Sequence, residues 1–140
     1  MPIKDRLHRS ELAVPGSNPR MLEKAPTLGA DIVFMDLEDA VAHGEKDAAR
    51  KNVIHALTHH NWSRCAVSVR INGLDTPYCY RDIVEVVEQA GQRIDTLLIP
   101  KVNAPADVLF VATLLAQIEV AKGLKPIGIH ALIETARGMA

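Results

Sequence analysis

The sequence has 140 residues, 48% of them hydrophobic and 24% charged, a globular composition within the size range of one domain. Its 16 basic and 17 acidic residues are mixed along the chain and leave a formal charge of -1, which gives no electrostatic footprint for nucleic acid or an anionic membrane; small molecules are the expected partners. The start, Met1-Pro2-Ile3-Lys4-Asp5-Arg6, has no apolar run, no stretch is long enough to span a bilayer, and Cys65 and Cys79 lack a CxxC spacing, so a cytoplasmic protein with reduced cysteines is expected.

The first predicted strand is Glu11 to Val14, and Pro15-Gly16-Ser17-Asn18-Pro19-Arg20 comes after it. Ser17 or Asn18 suits the cap of a helix whose first turn takes Pro19. Pro26 lacks an N–H and clashes with the preceding turn, so it ends or kinks that helix near Ala25. The N–H groups at the helix start, with Arg20 and Lys24, offer a place for a phosphate or carboxylate, and a cap with no further role fits the same residues equally well.

The second strand, Ile32 to Met35, runs into Asp36-Leu37-Glu38-Asp39, three carboxylates within four residues. Desolvated carboxylates repel one another and need cations, hydrogen-bond donors or a metal, which points to function rather than to a solvated loop of helix-capping acids. The next helix buries Ala49, Val53, Ala56 and Leu57. His55 and His59 have the spacing of helical metal ligands, but this phase turns them to solvent.

The third strand, Ala66 to Ile71, alternates so that Ser68, Arg70 and Asn72 share one face and Val67, Val69 and Ile71 the other. The apolar row should meet the helices. The polar row should then face the strand-end cavity, where Arg70 grips a substrate carboxylate, pairs with the neighbouring acids, or does both. Ile83, Val86, Val87 and Ala90 form one helical stripe, and Val108, Val111, Ala112, Leu115 and Ile118 form another that begins at Pro105. Gly29, Gly91 and Gly123 each come after a helical stretch, where a left-handed residue is wanted.

The fourth strand, Thr96 to Ile99, leads to Pro100-Lys101-Val102. Lys101 has the chemistry of a Schiff-base nucleophile, although pairing with a nearby acid is the better expectation. The fifth strand, Ile127 to Ile133, ends at Glu134-Thr135. An acid there, facing another acid across a barrel mouth, is what Mg²⁺ requires, since this ion takes oxygen ligands from one or two carboxylates, waters and substrate. The chain stops at Gly138-Met139-Ala140 with no final helix expected, as a truncated chain would.

Strand–helix alternation with right-handed crossovers leaves two architectures, an open doubly wound sheet or part of a closed barrel. Length favours the open sheet, because a full barrel takes about 250 residues and this chain supplies about four and a half of its eight units. In both, ligands bind at the C-terminal ends of the strands.

Taken in order, Arg9-Ser10-Glu11-Leu12-Ala13-Val14-Pro15-Gly16-Ser17, Asp36-Leu37-Glu38-Asp39-Ala40-Val41, Val69-Arg70-Ile71-Asn72-Gly73, Ile99-Pro100-Lys101-Val102 and Leu132-Ile133-Glu134-Thr135-Ala136-Arg137-Gly138 resemble the successive motifs of the citrate lyase beta-subunit-like group of HpcH/HpaI aldolases, to which malyl-CoA, citramalyl-CoA and citryl-CoA lyases belong. The resemblance covers essentially the whole chain. It implies a TIM (β/α)8 barrel of the phosphoenolpyruvate/pyruvate-binding type, with residues 1–140 as the N-terminal part of a single barrel domain. It also implies a Mg²⁺-dependent lyase that cleaves or condenses a 3-hydroxyacyl-CoA into an acyl-CoA and a 2-oxo acid, assembled as a homo-oligomeric trimer or hexamer.

By that resemblance Glu134 matches a metal ligand that also meets substrate, and Arg70 matches the arginine that binds the oxo acid and steadies the enolate. Glu38 and Asp39 match the acidic pair lining the same pocket, and Ser17, Arg20 and Lys24 match, more loosely, the region that meets the CoA moiety. The second metal-ligating aspartate of the family would lie past residue 140. Weak Mg²⁺ binding and little activity are therefore expected of this chain alone. Three other possibilities are a malyl-CoA thioesterase of the same group, a five-stranded doubly wound binding or signalling module, and a non-catalytic fragment.

Overall fold

A computed structural model describes residues 7–140. Five strands, β1 (Glu11–Pro15), β2 (Ile32–Asp36), β3 (Ala66–Arg70), β4 (Thr96–Ile99) and β5 (Gly128–Ala131), pair in parallel in the order β1-β2-β3-β4-β5. Between them run α1 (Pro19–Lys24), α2 (Lys46–His59), α3 (Cys79–Ala90) and α4 (Pro105–Lys122), with a short α5 (Ala136–Met139) after the last strand.

Strict sequence order decides between the two expected architectures. A doubly wound sheet reverses direction at a switch point, whereas here every crossover steps the same way. The helices accordingly form one layer on one face, α1 against α2, α2 against α3 and α3 against α4. The doubly wound module is set aside, and the winding is consistent with part of a barrel wall.

The helix-facing row of the sheet is apolar. Val14, Met35, Val69 and Leu97 are register partners and fully buried, and they pack with Val53, Leu57, Ile83, Val87, Val111 and Leu115. The other row is mixed: Ala13 is exposed, Phe34 and Gly128 are half-buried, and the polar Ser68 and Thr96 are buried.

Local signals act much as the residues dictate. The side chain of Asn18 accepts the Met21 N–H at 3.1 Å, Pro19 opens α1, and Pro26 converts the chain to a single 3-10 turn over Ala25–Thr27. Gly123 takes the left-handed C-cap of α4 at φ 63°.

Three expectations need correction. Gly91 is right-handed, at φ -57°, and leads into a 3-10 turn; a Cβ there would lie 2.7 Å from Leu124 Cδ1 and would require that side chain to shift. The regular pairing of β5 ends at Ala131 rather than Ile133, since its partner β4 stops at Ile99 and Lys101 turns into left-handed backbone at φ 52°. A helix does begin after the last strand, capped by the Thr135 hydroxyl, which accepts the Gly138 N–H at 2.9 Å.

Candidate active site

The ends of β2, β3, β4 and β5 bring together the residues that the sequence singles out. Asp36, the last residue of β2, folds its carboxylate over the adjoining loop and accepts the N–H groups of Glu38 at 2.9 Å and Ala40 at 3.0 Å. Its register partner on β3 is Arg70, whose Nε and Nη2 donate to the two carboxylate oxygens at 2.7 and 2.6 Å. Burial pushes the Asp36 carboxyl upward, but the hydrogen bonds from Arg70 and the two loop N–H groups outweigh it and hold its pKa below the usual range. The guanidinium lies 5.4 Å from the Phe34 ring centre, on the face away from the helices as expected.

That Asp-turn and a buried lysine shape the acidic loop. Lys46, on the first turn of α2, donates its ammonium to the carbonyls of Leu37 at 2.8 Å and Glu38 at 2.7 Å. Glu38 is thereby folded inward: its Oε1 lies 3.6 Å from Arg70 Nε without a hydrogen-bond partner, and its Oε2 accepts Lys101 Nζ at 2.7 Å. Asp39 stays exposed, 3.3 Å from the same ammonium. The hydrogen bond to Glu38 raises the Lys101 pKa, so the side chain is a charged partner of the acids rather than a free amine for Schiff-base chemistry.

Lys101 also reaches the last strand. Its backbone N–H donates to Glu134 Oε1 at 2.9 Å, which the left-handed turn makes possible. The next four residues hold Glu134 in place: Thr135 caps α5, and a Cβ on Gly138 would overlap the Val102 carbonyl oxygen, so the turn packs tightly on the end of β4. Arg70, Glu38, Lys101 and Glu134 thus form one contact chain across the strand ends.

Ser17, Arg20 and Lys24 stand to one side. Gly16 N donates to the Asp36 carbonyl at 2.8 Å, which places the Ser17 loop beside the end of β2, while Arg20 and Lys24 are exposed on α1. Among the described residues, neither joins an ion pair.

Asn72 departs from its expected orientation. The regular strand has ended at Arg70, and Asn72 turns toward the helix layer, donating its backbone N and Nδ2 to Asp82 of α3 at 2.8 and 2.6 Å. Asp82 also accepts Arg50 Nε of α2 at 3.1 Å, and both of these side chains are almost fully buried. Burial pushes the Asp82 carboxyl upward against the pull of Asn72 and Arg50. Sequence reasoning missed Lys46, Arg50 and Asp82. A signal was present, because Arg50 falls in phase with Ala49 and Val53, and Asp82 with Cys79, Ile83 and Val86, so charges sit on apolar stripes.

Among the described residues, no three His, Cys, Asp or Glu side chains meet as a metal-binding group. Glu134 nevertheless has the right donor chemistry for a hard cation. One of its oxygens is committed to Lys101 N–H and the other has no partner among the described residues, as suits an ion that takes one or two carboxylates plus waters and substrate.

The family model for HpcH/HpaI aldolase/citrate lyase matches residues 9–140. The chain belongs to that family. It is 48% identical over 136 residues to an L-malyl-CoA/beta-methylmalyl-CoA lyase of Cereibacter sphaeroides, covering 96% of this chain and 43% of that protein. It is 41% identical over 131 residues to a (3S)-malyl-CoA thioesterase of the same species, covering 94% of this chain and 42% of that protein. Among solved structures it is similar to the Mycobacterium tuberculosis protein CitE in complex with magnesium, acetoacetate and coenzyme A, at 33% identity and a TM-score of 0.69, covering 94% of this chain and 43% of that one. The chain spans less than half the length of these relatives. No helix among the described residues is long and apolar enough to cross a membrane.

Proposed function

We propose that the chain supplies the strand-end site of a (β/α) barrel lyase that cleaves, or in reverse condenses, a 3-hydroxyacyl-CoA such as malyl-, citramalyl- or citryl-CoA, giving an acyl-CoA and a 2-oxo acid. The observation that carries this is the contact chain Arg70–Glu38–Lys101–Glu134 at the C-terminal rim of a singly wound parallel sheet. The five strands would form about half of an eight-stranded barrel.

Arg70 binds the carboxylate of the oxo acid. Asp36 takes two of its five N–H groups and fixes the guanidinium plane, leaving three for substrate. Carbon–carbon cleavage develops negative charge on the thioester oxygen, and preorganised positive charge there lowers the barrier. Magnesium, when bound at Glu134, supplies such charge as a Lewis acid. Glu38 and Asp39 keep the pocket acidic, and the Glu38 Oε1 left without a partner is a hydrogen-bond acceptor facing the same side as Arg70. Ser17, Arg20 and Lys24, beside the end of β2, are assigned to the CoA moiety. Magnesium is the cofactor and the acyl-CoA thioester and 2-oxo acid are the substrates.

A thioesterase on the same site is the second possibility, favoured by the 41% identity to a malyl-CoA thioesterase. Product analysis with malyl-CoA and Mg²⁺ separates the two. A lyase releases acetyl-CoA and glyoxylate; malate with free CoA identifies the thioesterase, and no turnover of any of the three CoA esters by the full-length protein that carries this chain overturns the assignment.

A further inference from the structure

Lys101 is the residue of the site whose backbone is forced. Its φ of 52° lies in the left-handed region that side-chain-bearing residues seldom occupy, and such strain persists only where the surroundings hold it. Two contacts hold it here, main-chain N–H to Glu134 and ammonium to Glu38 and Asp39. A glycine would adopt the turn at lower cost, whereas the lysine brings to it an ammonium that reaches Glu38 and Asp39.

The rim carries four carboxylates, Asp36, Glu38, Asp39 and Glu134. Asp36 is satisfied by Arg70 and two loop N–H groups. Without Lys101, Glu38 and Asp39 would form an adjacent acidic pair with oxygens on offer, among them the buried Glu38 Oε1, which has no hydrogen bond and only the Arg70 guanidinium 3.6 Å away. A hard divalent cation accepts one or two carboxylates, so that pair would compete with Glu134 for it.

We propose that Lys101 is a positioning residue that directs the metal: its ammonium occupies the Glu38–Asp39 pair and its main-chain N–H orients Glu134, leaving Glu134 as the carboxylate open to a divalent cation. This rests on the reading of Glu134 as the metal ligand.

The test is Mn²⁺ binding to the full-length protein that carries this chain, measured by electron paramagnetic resonance of free Mn²⁺, with circular dichroism as the folding control. Lys101→Gln should bind one more Mn²⁺ per chain than the unsubstituted protein. Lys101→Gly, which keeps the left-handed turn without the ammonium, should do the same even if Lys101→Gln folds poorly. Lys101→Arg, which retains the charge, should match the unsubstituted protein, and Lys101→Gln combined with Glu38→Gln should lose the extra ion. Equal stoichiometry in Lys101→Gln, Lys101→Gly and the unsubstituted protein overturns the inference, as does an extra ion in Lys101→Arg. The underlying reading fails separately: if Glu134→Gln binds Mn²⁺ as the unsubstituted protein does, Glu134 is not the ligand, whatever Lys101 does.

Discussion

Asp36 and Arg70 are register partners on adjacent parallel strands, joined by two hydrogen bonds of 2.7 and 2.6 Å at the sheet's C-terminal rim. The pair fixes the guanidinium in one plane and the acidic loop in one turn at the same time. Arg70→Lys keeps the charge but not the fork, so kcat/KM for the acyl-CoA should fall by roughly 10²–10³-fold, the usual cost of losing a preorganised donor at the developing charge. Asp36→Asn should lower activity less and cost stability of about 2 kcal/mol, since a hydrogen bond to a charged group is weakened in a buried place. Steady-state kinetics and urea denaturation of both variants check this.

Asp82 is the junction at which α2, α3 and the chain after β3 meet. Asp82→Ala should destabilise the protein by about 3 kcal/mol, because it removes the one fully buried partner of the Arg50 guanidinium, leaving it only the more exposed Asp47 and Glu85, and removes the acceptor for both Asn72 donors. Replacing Arg50 and Asp82 together by apolar residues should cost less than the sum of the single changes. Equilibrium denaturation of the two single variants and the double variant measures the coupling, and additive costs would contradict it.

The start of β1 is tied to the residue before β2 through Arg9, which donates its backbone N–H and side chain to Asp31. The hydrogen bond from the Arg9 side chain lowers the Asp31 pKa from 3.8 to about 2. A folded-state pKa below the unfolded value stabilises at higher pH: the contribution is complete above about pH 4 and disappears as pH falls through about 2. Asp31→Asn should therefore destabilise at pH 7 and make little difference at pH 2. Denaturation midpoints of both proteins across that range report it, and an equal gap at both ends would count against the tether.

The strands are legible in the sequence because β-branched runs bounded by Gly, Pro and Asp leave few alternatives, and all five appear within two or three residues of their expected ends. Their winding is not legible, because order in a sheet depends on where each crossover lands; chain length points to the doubly wound form that the structure excludes. Arg70, Glu38, Lys101 and Glu134 are recognisable as strand-end residues, whereas their contacts need the left-handed turn at Lys101, which its sequence does not announce. Extending strand alternation past the point where β3 ends puts Asn72 on the wrong side. Lys46 looks like an ordinary solvated helix start; only the Leu37 and Glu38 carbonyls above it explain its burial.

The central claim is that Arg70 and Glu134 serve a single pocket in which the oxo acid is held between a guanidinium and a cation. Calorimetric titration of glyoxylate into the full-length protein that carries this chain tests this most directly, with and without Mg²⁺ and with Arg70→Lys and Glu134→Gln alongside. Binding should require Mg²⁺ and weaken at least about tenfold in each variant, the loss expected for one charged hydrogen-bonding partner. Glyoxylate bound equally well by both variants, or independently of the metal, would contradict it.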